Sequence, residues 1–278
     1  QDLRYPNEYD RTSSFSEEDL RHVSEWGMYV WQKDVQSCFP HVFLQPEAQR
    51  TQVQVGQHPH SFQKGIVKTV HADYLLYLPE GYDATQEAWP LMLFLHGAGE
   101  RGSDVSRVAI HGPPKLVSAE AITFPFVIVS PQCPKGDRGS SETQVDTLNA
   151  LLDRIVSRYR IDRDRIYVTG LSMGGFGTWR LAAEYPDRFA AIAPICGGGS
   201  PEDAQRIAHL PVRVFHGAKD KIVPVKKSEE MVAALEKANC RVKFTVYPDA
   251  GHNSWTATYG NSELYDWFLD QTRSGNAT

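Results

Sequence analysis

The chain has 278 residues, 41% hydrophobic and 23% charged, which suits one large domain, or one domain with a modest addition, and supplies a sizeable core. Its formal net charge of −5 argues against a nucleic-acid or anionic-membrane partner. Its longest apolar runs, such as Leu91–Leu95 and Phe124–Val129, are far too short to span a bilayer.

The chain opens with Gln1 and shows no basic-then-apolar leader, which reads as a processed or trimmed form; secreted, periplasmic and cytoplasmic locations all stay open. Cys38, Cys133, Cys196 and Cys240 lie far apart with no CxxC spacing, so zinc is not expected, and both disulfides and buried free thiols remain open.

Residues 1–60 differ from the rest and read as an N-terminal extension. Ser16-Glu17-Glu18-Asp19 resembles a capping box, and Leu20, Val23, Trp26 and Val30 recur near helical spacing, predicting an amphipathic helix over Ser16–Gln32. That helix packs on the outside of the main domain or lids its cleft. Pro40, Pro46 and Pro59 punctuate the stretch after it, and His58 and His60 flank Pro59 with no third metal ligand nearby.

The catalytic-domain pattern occupies residues 61–278. Phe62–Val70 and Asp73–Leu78 read as two strands forming the antiparallel start of a sheet. Leu91–Leu95 is a continuous apolar run, as in a strand buried on both faces, and it runs into the glycine loop His96–Gly102. Pro113–Ala119 reads as a short helix, Phe126–Val129 as a buried strand and Thr143–Arg160 as a helix with Val145, Leu148, Leu152, Ile155, Val156 and Tyr159 on one face. The strand at Ile166 and the helix beyond Gly175 come next. Phe189–Cys196, closed by Gly197-Gly198-Gly199, is a strand; Glu202–Ala208 a short helix; Pro211–Phe215 a strand; Val225–Asn239 a helix; Arg241–Tyr247 a strand; and Ser262–Thr272 the last helix. Strands alternating with helices predict an α/β fold with a mostly parallel sheet of about eight strands, whose functional groups gather at the strands' C-terminal ends.

Three polar residues fall just past such ends. Ser172 is the centre of Gly170-Leu171-Ser172-Met173-Gly174, between a strand and a helix, which is the setting of a nucleophile elbow. A turn that tight leaves no room for side chains at Gly170 and Gly174. A serine hydroxyl needs a base, and the base needs a third group to hold its tautomer. His252 lies in the loop beyond the last strand and is the expected base. Asp220, after the strand at Phe215, is the expected acid; Asp249, in the same loop as His252, is its rival. The N–H of Met173 is one expected oxyanion donor and that of Ala98 the other, with Gly99 as the alternative. His96 is expected to shape its loop by bonding backbone, and Glu100 and Arg101 to support it. Trp255 and Gly99 are candidates to line the substrate. Phe176 and Trp179 read as core.

The set His96-Gly97-Ala98-Gly99-Glu100-Arg101-Gly102, Gly170–Gly175, His216-Gly217-Ala218-Lys219-Asp220 and Gly251-His252-Asn253-Ser254-Trp255 resembles the phospholipase/carboxylesterase-type branch of the α/β-hydrolases, and is similar to the dienelactone-hydrolase-like "predicted peptidases". The resemblance covers about residues 62–272. It implies a serine carboxylesterase with no metal or organic cofactor, with Ser172 as nucleophile, Asp220 as acid, His252 as base and the amides of Ala98 and Met173 as oxyanion hole. Dienelactone hydrolases proper carry cysteine where this chain has Ser172, so that reaction is not expected. Competing readings are an acetyl or feruloyl esterase of polysaccharide side chains, a peptidase-like hydrolase, and a binding protein without catalysis. Oligomeric state and natural substrate are not legible.

Overall fold

The computed structural model describes residues 68–273. The extension over residues 1–60, its helix and the His58/His60 pair lie outside the described residues.

The described chain forms one seven-stranded sheet. Strands β1 (Tyr74–Tyr77), β2 (Trp89–Leu95), β3 (Val127–Pro131), β4 (Ile161–Leu171), β5 (Ala191–Ile195), β6 (Val212–Gly217) and β7 (Val242–Tyr247) stand in the order β1-β3-β2-β4-β5-β6-β7. Only β1 is antiparallel, pairing with β3 through Tyr74 opposite Pro131 and Tyr77 opposite Ile128. The remaining pairs are parallel. The expected partner of β1 was the segment before it. Residues 62–67 of that segment lie outside the described residues, its residues 68–70 are not strand, and β1 covers the edge of β3.

Helices α1 (Gly112–Ser118), α2 (Glu142–Arg158), α3 (Met173–Glu184), α4 (Lys226–Lys237), α5 (Trp255–Tyr259) and α6 (Glu263–Leu269) cover both faces. The period-2 alternation of a strand splits β2 between two cores. Leu91, Leu93 and Leu95 pack with Val145, Leu148, Leu152 and Ile155 of α2 and Trp179, Leu181 and Ala182 of α3. Met92 and Phe94 pack with Tyr259 of α5 and Leu264, Tyr265 and Phe268 of α6. This double burial is why β2 reads as an unbroken apolar run.

Two sequence expectations need correction. The Glu202–Ala208 helix is a 3₁₀ segment, Pro201–Ile207. The last helix is shorter than Ser262–Thr272. A separate helix, α5, precedes it, because Asn253 accepts from the Thr256 N–H at 3.2 Å and Asn261 from the Glu263 N–H at 3.0 Å, so each short helix begins on its own asparagine. Cys133, Cys196 and Cys240 are unbridged thiols. No helix among the described residues is long and apolar enough to cross a membrane.

Leu93 is fully buried at the centre of the sheet. Leu93→Ala is expected to cost about 2–5 kcal/mol of unfolding free energy. Ile222→Ala, at a side chain 72% exposed, is expected to cost no more than about 0.5 kcal/mol. Urea denaturation of both variants checks the contrast.

Candidate active site

The site begins with a backbone contact. A Cβ on Gly174 would stand 2.0 Å from the Leu95 carbonyl oxygen and 2.8 Å from that of His96, and one on Gly170 would stand 2.5 Å from the Gly174 carbonyl oxygen. All three distances are below any real Cβ contact, so only glycine lets the first turn of α3 close on the end of β2. Ser172, between them, takes φ 52° and ψ −114°. A non-glycine residue there is strained and must be held by its surroundings. Part of that hold is the Ser172 N–H, which donates to the Ile195 carbonyl at 2.9 Å.

The loops after β6 and β7 bring the other two residues in. His252 Nε2 lies 2.9 Å from Ser172 Oγ, and His252 Nδ1 lies 2.7 Å from Asp220 Oδ2. Asp249 is not part of this line: its carboxylate is exposed and pairs with Lys219 Nζ at 2.7 Å. Asp220 is buried, and its Oδ1 accepts from the N–H groups of Ile222 at 2.8 Å and Val223 at 2.9 Å. Burial pushes the Asp220 carboxyl up. Hydrogen bonds from His252, Val223 and Ile222, with the charge on His252, outweigh it and set the net direction downward.

Sequence reasoning gave His216 no role of its own. It is fully buried, with Nε2 2.9 Å from the Val223 carbonyl oxygen and 3.2 Å from Asp220 Oδ2, and Nδ1 2.8 Å from Ser228 Oγ. Facing two acceptors, Nε2 must carry a proton and donate. Ser228 Oγ also reaches the Gly197 carbonyl at 3.1 Å, so this network ties the acid loop to α4 and to the glycine run after β5. The one signal for His216 in the sequence is its position, four residues before Asp220.

On the other side, Ala98 opens a 3₁₀ turn (Ala98–Glu100) and Met173 opens α3. Amides in that position have no acceptor within their own helix. Four consecutive carbonyls of the loop are each held by a side chain. His96 Nδ1 donates to Gly97 O at 2.6 Å, Arg101 Nε to Ala98 O at 3.1 Å, Arg107 Nη2 to Gly99 O at 2.7 Å, and Gln132 Nε2 to Glu100 O at 2.9 Å. Arg101 also donates to Asp137 O at 2.9 Å, joining this loop to the one before α2. His96 thus shapes its loop as expected. Its Nε2 accepts from the Cys133 N–H at 2.9 Å, and burial lowers its pKa, both of which keep it neutral. Glu100 is buried beneath the loop, its Oε1 3.9 Å from His111 Nε2.

Trp255 stands edge-on to the His252 ring, centroids 5.4 Å apart at 87°, and its other neighbour is His111 at 5.3 Å. A side chain on Gly99 would meet open space. Trp179 is core, whereas Phe176 is only half-buried.

Among the described residues, Cys196, Asp220 and His252 bring potential metal-ligand atoms within 4.8 Å of one another. Asp220 and His252 are committed to each other, and burial pushes the Cys196 thiol up to about 12, so it stays protonated. The donor set does not suit a metal. A recess of about 630 Å³ lined by Arg163, Tyr185 and Arg188 lies near the opposite end of β4 and contains none of these residues.

A mostly parallel sheet flanked by helices, with a serine on a strained strand-to-helix turn, is the α/β-hydrolase fold. Residues 134–263 match the Dienelactone hydrolase family. A Nocardia uniformis subsp. tsuyamanensis protein that bears an esterase name, NocK, is 32% identical over 54% of this chain and 46% of its own length. The bifunctional acetylxylan esterase/xylanase XynS20E of Neocallimastix patriciarum is 30% identical over 64% of this chain and 26% of its own. Among solved structures, a thermostable esterase matches with a TM-score of 0.63 and 34% identity over 73% of this chain and 60% of that one. The chain thus spans about half, or less, of the length of the curated relatives it matches.

Gly174→Ala is expected to remove about 3 kcal/mol or more of stability, since its new methyl meets backbone that cannot yield. Gly99→Ala is expected to change stability by no more than about 0.5 kcal/mol. Thermal and urea unfolding of the pair distinguish them.

Proposed function

We propose that this protein hydrolyses carboxylic esters through a serine acyl-enzyme. The observation that carries this is the unbroken line from Asp220 through His252 to Ser172, with 2.7 Å and 2.9 Å links. Ser172 Oγ attacks the ester carbonyl while His252 Nε2 takes its proton. The tetrahedral oxyanion is received by the N–H groups of Ala98 and Met173, each worth about 2.7–4 kcal/mol to such a species. His252 then gives the proton to the departing alcohol, and a water activated by the same imidazole releases the acid. Asp220 stays ionised throughout, fixes the tautomer of His252 and stabilises its cation. The free Ala98 and Met173 amides support this reading, as do esterase names among the relatives. The chemistry calls on no cofactor. Residues 61–278 act as the catalytic domain, with residues 1–60 an appended segment. Trp255 supports the His252 ring and borders the departing alcohol.

A second reading, removal of ester groups from polysaccharide side chains, draws on the 187-residue similarity to an acetylxylan esterase/xylanase. Parallel kinetics on acetylated xylan and on soluble aryl acetates separate the two: a large preference for the polymer favours the second.

Ser172→Ala is expected to lower kcat on a short-chain nitrophenyl ester by about 10³–10⁶-fold and to abolish labelling by a fluorophosphonate. Unchanged turnover would end the proposal. Asp220 has its pKa held down, so it is already ionised where the carboxyl would ordinarily titrate. Asp220 therefore adds no second proton to the acid-side loss of activity, and log kcat/KM against pH is expected to have a limiting acid slope of about one. A slope of two would mean that Asp220 titrates as well.

A further inference from the structure

The two oxygens of Asp220 are held in different frames. Oδ1 accepts from the N–H groups of Ile222 and Val223, which fix the carboxylate relative to its own loop alone. Oδ2, the oxygen that faces the base, accepts from His252 at 2.7 Å and from His216 at 3.2 Å. His216 is not a loop residue: it lies in β6 and pairs with Val246 of β7. The sheet also ties it to the nucleophile. Leu171, Ile195 and Phe215 stand in register across β4, β5 and β6. The Ser172 N–H donates to the Ile195 carbonyl at 2.9 Å, and the Cys196 N–H to the Phe215 carbonyl at 2.8 Å. Ser172 and His216 thus each follow, by one residue, the same rung of the ladder.

An ionised carboxylate offers about four lone-pair sites. Ile222, Val223, His252 and His216 fill them, and neither the Asp220 nor the His216 side chain is exposed. With water excluded, a site that His216 vacates stays unpaired. His216 Nε2 also serves the Val223 carbonyl at 2.9 Å, so one N–H fastens both the carboxylate and its loop. With that proton on Nε2, Nδ1 is the acceptor of the ring. Its donor is Ser228 Oγ of α4, fully buried and 2.8 Å away. The same hydroxyl lies 3.1 Å from the Gly197 carbonyl, and the shorter contact takes its proton. Ser228 thereby fixes the tautomer that donates to Asp220.

We propose that His216, set by Ser228, is a positioning residue of the reaction: it registers Asp220, and through it the His252 ring, to the strands that carry Ser172. The inference rests on the esterase reading. The partners of the His216 ring are Asp220, Val223 and Ser228, not the groups proposed to meet the substrate. Its loss therefore lowers kcat and leaves KM in place. Because it acts through the carboxylate, its effect disappears when the carboxylate is absent, whereas a purely structural role persists.

The test is a double-mutant cycle on a short-chain nitrophenyl ester, with rates normalised to the sites labelled at completion by a fluorophosphonate. His216→Leu is expected to lower kcat about 10–100-fold and to change KM by no more than about twofold. His216→Gln, whose amide can donate from the Nε2 position, is expected to recover all but about threefold of that loss. In an Asp220→Ala background, His216→Leu is expected to change kcat by no more than about twofold. The full effect in that background, or an unchanged kcat in His216→Leu, overturns the proposal. Should the leucine variant not fold, Ser228→Ala carries the same cycle: it is expected to lower kcat about threefold, and only while Asp220 is present. An unchanged kcat there overturns the proposal as well. Proton NMR gives a readout without turnover. The downfield N–H resonance of His252 bonded to Asp220 is expected to persist in His216→Gln and to be displaced or lost in His216→Leu. If the wild type hydrolyses no ester, the esterase reading fails and this resonance alone decides the positioning role; the same resonance in wild type and His216→Leu overturns it.

Discussion

The site depends on a place where two backbones touch with no side chain between them. The turn at Ser172 can close only because Gly174 lies against the Leu95 carbonyl and Gly170 against Gly174 itself. That closure joins two segments that serve different ends. It lifts a serine out of the sheet at φ 52°, and it presses the start of α3 on the point where β2 becomes the His96–Glu100 loop. The proposed nucleophile and the two proposed oxyanion donors thus share one rigid contact, so that a shift in one moves the others. The strain at Ser172 is sustained by the parallel ladder on both sides, where Leu95 pairs with Gly170 and Leu171 with Ile195.

Asp220 presents the opposite problem, a charge taken out of water. Its burial costs several kcal/mol unless donors replace the lost solvent. Two come from its own loop, Ile222 and Val223, at 2.8 and 2.9 Å, and are set by the turn after β6. The third is His252, and His216 is a more distant fourth at 3.2 Å. Because His216 is itself anchored by Val223 and Ser228, the carboxylate has little freedom to rotate away from His252. Donors fixed in advance need no reorganisation if charge develops on the imidazole, which is what the proposed role of His252 requires.

What could be read from the sequence was what short-range pattern encodes. The buried strands, α2 and the Gly-x-Ser-x-Gly turn are each written in a few neighbouring residues, through double burial, helical spacing and missing side chains. Ser172, His252 and Asp220 were legible because each lies just past a strand end, and strand ends converge. Other features depend on distant partners and have no local signature. β1 pairs with β3, more than fifty residues away, and nothing in the sequence next to β1 announces that neighbour. Arg107, Gln132 and Ser228 act through contacts that cross loops, and nothing adjacent to them distinguishes them from solvated residues. The split between α5 and α6 rests on asparagine side chains that cap as readily as they sit in turns.

The loop after β2 explains why those cross-loop contacts matter. Ala98 and Gly99 are exposed, and an exposed glycine-rich turn is free to flip its peptide planes. A flipped plane would exchange an N–H for a carbonyl and turn a donor into a repulsive oxygen. Here the carbonyls of Gly97, Ala98, Gly99 and Glu100 are each engaged by a side chain, two of them by arginines. Rotating any one plane would break a hydrogen bond, charge-assisted in the arginine cases. Loop freedom is thus removed through the oxygens, which leaves the Ala98 nitrogen uncommitted. An exposed turn thereby acquires fixed dipoles, as the proposed oxyanion role of Ala98 requires, without spending the donor itself.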